Sequence, residues 1–320
     1  MRIRRSRTPL RFSVELGPRG TLPDYETVKT IALEAERLGY YAFYLPDGVQ
    51  WADFECWTTL ASLSVSTSTI RLGPAATFVT YRYPALLAKT SATLDVLSGG
   101  RLDLRLGAGG ASAKIDQVHS GIPQPDPKTR VKMLDEGLRL ISSLWSEPAV
   151  SFKGRFFAVE DAHCWPKPIQ KPHPQITVCA DSCRMLQLAA ELADIWETSG
   201  RLGDYGKKTG IFKKTCQAIG RDFSSIDKSL EVTVAIADSD REAEEMVEKH
   251  RLRRGATRGS GYDPLEDAVV GRPSRCIEAF SEFRDANLSS FTIFFIGIKD
   301  LGPLRLFADK VIPALKDQAD

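Results

Sequence analysis

The sequence predicts an α/β fold, a (β/α)8 TIM barrel, and three observations support this class. Runs of β-branched residues with period two alternate with helical patterns along almost the whole 320-residue chain, which is typical of βα units around a parallel sheet. Eight strand candidates are found, each followed by a helix. The first βα turn, residues 17–20, lacks the G-x-G-x-x-G pattern of an open dinucleotide-binding sheet. We therefore expect a single barrel domain over residues 1–320.

The predicted strands are short and regularly spaced. They span residues 11–16, 41–45, 70–78, 101–106, 175–179, 194–198, 230–237 and 290–296. The predicted helices fill the intervals and span residues 24–38, 55–65, 84–97, 129–144, 185–192, 205–219, 241–250, 274–287 and 304–315. Pro84 suits the first turn of the third helix, and the Ser98-Gly99-Gly100 stretch ends it.

Residues 146–174 interrupt this alternation. The segment predicts short extended pieces separated by turn-forming residues, namely Pro148, Gly154, Pro166, Pro168, Pro172 and Pro174. We interpret it as an insertion after the fourth βα unit and not as a domain boundary, because the strand-helix pattern resumes at once.

Composition and charge exclude several functional classes. Hydrophobic residues make up 42% and charged residues 26% of the chain, which is ordinary globular usage and argues against disorder. The net charge of +2 provides no field that favours nucleic acid or a membrane surface. No apolar run approaches the 18 or so residues of a membrane span, and the basic N-terminal arm is followed by no apolar signal region. We expect a cytoplasmic protein.

The six cysteines do not predict a metal centre. Cys179 and Cys183 have three residues between them, but no second Cys/His pair at a suitable spacing completes a zinc site. Free thiols that are buried or half-buried are the expected state.

The whole chain resembles the bacterial luciferase-like superfamily of flavin- and deazaflavin-dependent oxidoreductases. Five segments carry the resemblance. In chain order they are RFSVEL, AERLGYYAFYLPD, IRLGPAATFVTYRYPALLAKTSATLDVLSGGRLDLRLGAGG, ITVCADSCRMLQLAAELAD and the ending from VGRPSRCIEAF to FADKVIPALKD. The resemblance is closest to the branch that uses coenzyme F420, which includes methylenetetrahydromethanopterin reductase. It implies a barrel, a homodimer, a small-molecule substrate and hydride transfer at the deazaflavin ring.

The resemblance also implies where the ring binds. In the family, a bulge in the third strand, often with a non-proline cis peptide, supports the ring, and Ala75 and Ala76 match it. Thr77 and Gln50 are expected to bond the polar edge of the ring. An ordinary strand with small interior residues is the alternative. Further expected contacts are Gly110 with the cofactor, and Trp51, Tyr81, Ser112 and His119 with the substrate.

The turn after the fifth strand is the expected phosphate site. It leads into a helix whose free N–H groups favour an anion, and its candidate contacts are Ala180, Asp181, Ser182, Cys183, Arg184 and, from the next strand, Ser199. Family members usually carry A-x-G-P here. Asp181 would repel a phosphate unless it is turned away, and helix capping by Asp181 or Ser182 is the alternative.

Two carboxylates are candidates for acid–base chemistry. Glu15 matches the first-strand carboxylate of the reductase branch, and a ring-covered pocket would raise its pKa. A structural ion pair with Arg105 or Arg82 is the alternative for Glu15. Asp47 matches the carboxylate that ends the second strand, but Gly48 follows where relatives have a histidine. The alcohol-oxidising mechanism of those relatives is therefore not expected.

Three functional hypotheses follow. The leading one is an F420-dependent oxidoreductase with Glu15 as proton partner. The second is an FMN-dependent monooxygenase, and the third is a non-catalytic barrel that binds a cofactor or a partner protein.

Overall fold

The strands of the protein form one main sheet and one small hairpin. The computed structural model describes residues 9–17, 24–50, 52–200, 202–254 and 265–317. The strands are β1 Arg11–Glu15, β2 Ala42–Leu45, β3 Arg71–Pro74, β4 Thr77–Phe78, β5 Asp103–Gly107, β6 Val150–Lys153, β7 Ala158–Ala162, β8 Gln175–Cys179, β9 Ile195–Ser199, β10 Asp227–Ile236, β11 Val269–Gly271 and β12 Ser290–Phe295.

Helices cover the outside of the main sheet. They are α1 Tyr25–Arg37, α2 Cys56–Ser66, α3 Pro84–Leu97, α4 Ala111–His119, α5 Pro127–Ser146, α6 Cys183–Leu192, α7 Leu202–Ala218, α8 Asp240–Arg254, α9 Pro273–Asp285, α10 Gly302–Leu306 and α11 Ile312–Asp317. Within the described ranges, none is long and apolar enough to cross a membrane.

The main sheet is a nearly closed barrel of parallel strands. Its order is β3-β2-β1-β12-β10-β9-β8-β5-β4, with β11 added beside β10. A single bridge between Leu72 of β3 and Leu102, the residue before β5, brings the two ends of the sheet together. The predicted TIM barrel and its eight strands are confirmed, except that the third predicted strand is divided into β3 and β4.

Helix α4 and strand β11 were not predicted from the sequence, and the short extended pieces predicted within the insertion pair with each other. No element was predicted between residues 106 and 129, but residues 111–119 form α4, whose buried positions include Asp116 and Gln117, so the helix has no apolar stripe to reveal it. The insertion forms an antiparallel hairpin of β6 and β7. Strand β11 has three residues, too few for a recognisable pattern.

Local signals in the sequence explain the helix starts. The Asp24 carboxylate accepts from the Thr27 N–H at 2.7 Å at the start of α1, and Asp126 accepts from Lys128 and Thr129 at the start of α5. Such caps satisfy backbone donors that have no partner within the helix. Pro84 occupies the first turn of α3, as predicted.

The outer faces of the barrel strands pack against the helices. Phe12 of β1 stacks on Phe291 of β12 at 5.5 Å between ring centroids and meets Phe280 and Phe307 at 5.9 and 5.6 Å. These side chains are almost completely buried, so the hydrophobic core lies between barrel and helices. This arrangement holds the strand ends in fixed positions.

The interior of the barrel is polar and layered. In a closed eight-stranded barrel, each interior layer takes one side chain from alternate strands. The strand register gives a top layer of Glu15, Ala75, Cys179 and Glu231. Directly beneath is a second layer of Tyr44, Arg105, Glu197 and Thr292. Charged groups thus lie just below the mouth, the end where the strands finish.

Candidate active site

Two consecutive alanines form one wall of the mouth. A cis peptide bond joins Ala75 to Ala76 between β3 and β4, as the family resemblance implied. The Ala75 N–H donates to the Leu45 carbonyl at 2.7 Å, and Ala76 is half-buried. Thr77 follows and is completely buried. This wall therefore consists of small side chains and backbone, which a flat molecule could approach closely.

The top two layers contain one arginine and three glutamates. We call these four residues, Glu15, Arg105, Glu197 and Glu231, the carboxylate cluster. Arg105 pairs with Glu197 and stacks at 4.2 Å on the Tyr44 ring. Its Nη1 lies 3.7 Å from Glu15 Oε2. The predicted alternative partner of Glu15 is therefore present and is Arg105.

Glu197 is firmly held. Besides Arg105, the hydroxyls of Thr292 and Ser229 donate to Glu197 Oε2 at 2.7 and 3.0 Å, and the Cys179 thiol donates to Oε1 at 3.6 Å. Glu197 is 2% exposed. These contacts hold the Glu197 carboxylate in place, and Arg105 is paired more closely with Glu197 than with Glu15.

Polar atoms at the top of the cluster lack partners. Among the described residues, Glu15 Oε2 and Arg105 Nε and Nη1 are buried without a hydrogen-bond partner. A buried donor and acceptor without partners are costly, and they are the groups a polar ligand would satisfy. The top of the barrel therefore fits a ligand with polar atoms at this point.

The two carboxyls of the top layer have raised pKa values. Burial raises the pKa of Glu15 well above its usual value, and repulsion from Glu231 adds to this, while Arg105 opposes it. The pKa of Glu231 rises to about 7, because protein surrounds the carboxyl and Glu197 repels it, with Arg105 again opposing. The Glu231 side chain is nevertheless accessible from the mouth. Both groups are suited to hold a proton near neutral pH.

Sequence reasoning did not identify Glu231. The residue lies within the apolar strand pattern LEVTVAI of β10, and an isolated charge in a buried strand was the available signal. Only the register, which pairs Glu231 with Thr292 and Ser199, puts it beside the other carboxylates.

Asp47, predicted as catalytic, is engaged by other side chains. Arg82 binds both of its oxygens, with Nη2 to Oδ1 at 3.0 Å and Nη1 to Oδ2 at 2.5 Å, and Trp57 Nε1 donates at 3.3 Å. Asp47 is 3% exposed. This geometry suits a residue that positions the loop after β2.

Asp116 of α4 joins two predicted pocket residues. It accepts hydrogen bonds from the Val49 and Gln50 N–H groups at 3.0 and 2.5 Å and from the Tyr81 hydroxyl at 2.6 Å. Gln50 and Tyr81 therefore border the same side of the mouth. Asp116 was missed because it belongs to the unpredicted helix.

The remaining predicted pocket residues are less informative. Trp51 and the side chain of Ser112 lie outside the described residues. His119, which the sequence suggested in the stretch between the fourth predicted strand and the next helix, is the last residue of α4 and is exposed. Gly110 caps the start of α4, and a side chain there would meet open space.

The predicted phosphate turn carries a neutralised aspartate. Asp181 Oδ1 lies 2.5 Å from Lys208 Nζ of α7 and accepts from the Thr198 hydroxyl at 2.6 Å. Lys208 also donates to the Ser199 carbonyl at 2.8 Å. Asp181 is thus turned towards Lys208, a residue that sequence reasoning missed because it lies one βα unit further along the chain.

The rest of the turn contains a helix-capping serine and an exposed arginine. Ser182 is the N-cap of α6 and accepts from the Met185 N–H at 3.4 Å, which is the capping role considered above. Ala180 is buried, and its carbonyl accepts from Trp196 Nε1 at 2.9 Å. Cys183 and Arg184 are exposed. The helix start and Arg184 can therefore both face an anion.

The chain matches one protein family and several characterised relatives. Residues 8–290 match the family model described as luciferase-like monooxygenase. The F420-dependent hydroxymycolic acid dehydrogenase of Mycobacterium tuberculosis is 31% identical over 249 residues, which cover 76% of this chain and 68% of that protein. The F420-dependent glucose-6-phosphate dehydrogenase of Kineococcus radiotolerans is 26% identical over 316 residues, covering 89% and 91%.

A solved structure has the same fold. An F420-dependent secondary alcohol dehydrogenase, solved in complex with an F420–acetone adduct, superposes with a TM-score of 0.81. The alignment covers 96% of this chain and 99% of that chain at 18% identity. At this identity the likeness concerns the architecture.

Proposed function

Because the chain belongs to the luciferase-like monooxygenase family, we propose that it is an F420-dependent oxidoreductase that transfers a hydride between the deazaflavin and a small organic substrate. The proposal extends to this chain the F420 dependence named for its relatives. The structural observation that carries it is the pairing, at one barrel mouth, of the alanine wall with the carboxylate cluster.

The residues at the mouth fit a tricyclic ring. Small side chains and backbone at Ala75 and Ala76 allow close approach of a flat surface, and Gln50 and Tyr81 border the same side of the mouth. Thr77, which the sequence suggested as a further contact, is completely buried and does not reach this space. When bound, the deazaflavin supplies hydride chemistry at its C5 carbon; the protein contributes position and electrostatics. Glu15 is the predicted proton partner, and Asp47 positions the loop after β2 through Arg82.

The phosphate of the cofactor would bind at the start of α6. Ser182 and Arg184 lie at this helix start, with Cys183 between them, and Ala180 and Ser199 border it. Lys208 offsets the charge of Asp181, which removes the repulsion expected from the sequence. The positive end of the helix and these cations support an anion site.

Substitutions of the Asp181–Lys208 pair should change the F420 affinity in opposite directions. We expect Lys208→Met to weaken binding about tenfold, because the unpaired Asp181 carboxylate would then repel the phosphate, with an interaction worth about 1.4 kcal/mol. Asp181→Asn should strengthen binding, since Lys208 becomes free. F420 fluorescence titration at low and high salt measures both, and the differences should shrink as salt screens the charges.

A matched control is available on the same helix. Lys207 is exposed and lies 3.6 Å from Asp204, so Lys207→Met should leave the affinity unchanged. Equal losses in Lys207→Met and Lys208→Met would contradict a phosphate site at this turn.

We also propose that the protein is a cytoplasmic homodimer, as expected from the sequence. Apolar side chains on the outer surfaces of α2 and α3 support an interface: Val65, Leu86 and Leu97 are 72%, 59% and 49% exposed. Leu86→Glu should shift the mass measured by light scattering from dimer to monomer. A monomeric wild type, or a variant that stays dimeric at micromolar concentration, would reject this interface.

Cofactor binding tests the proposed function. We expect purified protein to bind F420 in a fluorescence titration and to bind FMN more weakly. Tight FMN binding without F420 binding would favour the monooxygenase, which would form a peroxyflavin when the reduced complex is mixed with oxygen. Binding of neither would favour a non-catalytic barrel.

A further inference from the structure

We propose that Glu231 is a second acid–base residue of this site, which shares one proton with Glu15 and exchanges it with the oxygen of a carbonyl or alcohol substrate. The inference rests on the proposed function for the hydride partner. The shared proton is inferred from the structure alone and is expected both with and without bound cofactor.

The placement of Glu231 distinguishes it from the other carboxylates. Glu197 is buried in the second layer and holds Arg105. Glu15 is in the top layer, but its side chain is only 16% exposed and its Oε2 is buried. Glu231 is in the same layer as Glu15, separated from β1 by β12 alone, and is open to the mouth. A substrate in the mouth would therefore meet Glu231 first.

The charges around Glu231 favour one retained proton. Among the described residues, the titratable and charged groups of the top two layers, besides Glu231, are Glu15 of β1, Tyr44 of β2, Arg105 of β5, Cys179 of β8 and Glu197 of β9. Asp181 of the turn after β8 also repels Glu231. Burial raises the pKa values of the Tyr44 hydroxyl and the Cys179 thiol well above their usual values, so neither adds a charge near pH 7.

The remaining charges do not balance among the described residues. Asp181 is compensated by Lys208, and Glu197 is compensated by Arg105. Glu15 and Glu231 are then two neighbouring carboxyls with only the longer Arg105 contact between them, at 3.7 Å from Glu15. Once one carboxyl has lost its proton, its negative charge makes loss of the second proton harder. The pair therefore holds one proton over a wide range of pH.

The chemistry of the shared proton can be written in balanced form. In ketone reduction, the carbonyl carbon would receive a hydride, which the bound reduced cofactor would supply, and the electrons of the carbonyl π bond would move to oxygen. The oxygen would take its proton from Glu231, whose O–H bond breaks as the O–H bond of the alcohol forms, and Glu231 would be left as a carboxylate. Alcohol oxidation reverses each transfer, with the Glu231 carboxylate accepting the proton.

The same arrangement restricts the substrate class. Two carboxyls beside the reacting carbon repel an anionic group at that position. We therefore expect a substrate whose reacting end is an uncharged ketone, aldehyde or alcohol.

A carboxyl titration of the cofactor-free protein tests the shared proton. In protein labelled with 13C at the glutamate carboxyl carbons, we expect a resonance that titrates near pH 7. It should be absent in Glu231→Gln, and the Glu15 resonance should titrate at lower pH in that variant, because the repulsion from Glu231 is gone. Glu160→Gln changes an exposed glutamate of β7 and should alter neither. A Glu231 resonance that titrates near its ordinary value of about 4.3, or a Glu15 titration unaffected by Glu231→Gln, would overturn the proposal.

Stability against pH gives a second readout with a defined sign. A carboxyl whose pKa is about 7 in the folded protein and about 4.3 in the unfolded chain keeps its proton longer in the folded state. The wild type should therefore lose stability as pH rises from about 4.3 to 7. Glu231→Gln removes this loss, so its Tm should exceed that of the wild type at pH 8 by more than at pH 4. A constant difference across this range would contradict the shared proton.

Turnover of the F420-loaded protein tests the catalytic part. Glu231→Gln should lower kcat for ketone reduction by about 10²-fold or more with F420 affinity unchanged, and Glu231→Asp should restore part of the rate. The wild-type rate should fall as pH rises through about 7, and this fall should disappear in Glu231→Gln. Full activity of Glu231→Gln rejects the catalytic role. Absence of F420 binding in every variant instead rejects the proposed function, and the carboxyl titration separates the two results.

Discussion

Replacement of Ala76 by tryptophan should abolish F420 binding and leave the barrel folded. Ala76 is half-buried at the mouth, so an indole can project into the space proposed for the deazaflavin ring without entering the core. We expect at least a 100-fold loss of affinity, because the ring and the indole would occupy the same volume. Fluorescence titration measures the affinity, and circular dichroism with thermal unfolding measures the fold.

The control for this variant is an exposed alanine that is remote from the mouth. Ala158 is exposed on β7 of the insertion hairpin, and Ala158→Trp should bind F420 like the wild type. A barrel that keeps its fold only for assembly would tolerate both substitutions without any change in ligand binding. Undiminished F420 affinity in a folded Ala76→Trp variant would contradict the proposed ring site.

Replacement of Arg105 by methionine should destabilise the protein by about 3–5 kcal/mol, the usual result of leaving a buried charge without its partner. Arg105 is 2% exposed, and Glu197 is 2% exposed. Without the guanidinium, Glu197 and Glu15 would be buried carboxylates with no cation among the described side chains beside them. Urea unfolding at pH 8 measures the change in free energy.

Two further variants show whether the loss of stability comes from the buried ion pair: a surface arginine control and a double variant. Arg139→Met removes an arginine from an exposed pair with Asp135 and should cost at most about 1 kcal/mol. Arg105→Met combined with Glu197→Gln should be less destabilising than the sum of the single changes by about 0.5–3 kcal/mol. Additive effects would show that the two side chains do not interact, and the description of the carboxylate cluster would be wrong.

The fold could be predicted from sequence because its signals are local. Each predicted strand carries apolar residues in a short run or at period two, and each lies at the expected place in the chain. Helix α4 could not be predicted in this way, because Asp116 and Gln117 occupy its buried side and remove the apolar periodicity. Their burial depends on contacts with the loops after β2 and β4, which a local pattern does not contain.

The site was only partly predictable for the same reason. Glu15 and the two alanines were identified because they lie at strand ends that match a known family. Glu231 was missed because its role depends on the barrel register, which sets it beside Glu15 across β12. Lys208 was missed because it compensates Asp181 from a different βα unit. Charge balance inside a barrel is a property of several strands together, so residue-by-residue reading does not reveal it.

A crystal structure of the protein with bound F420 would show whether the barrel mouth holds the cofactor. We expect the deazaflavin ring against Ala75 and Ala76, its phosphate at the start of α6, and the Glu231 carboxyl within reach of the substrate space beside C5. A ring bound outside the barrel mouth, or a mouth that accepts FMN and excludes F420, would contradict this expectation.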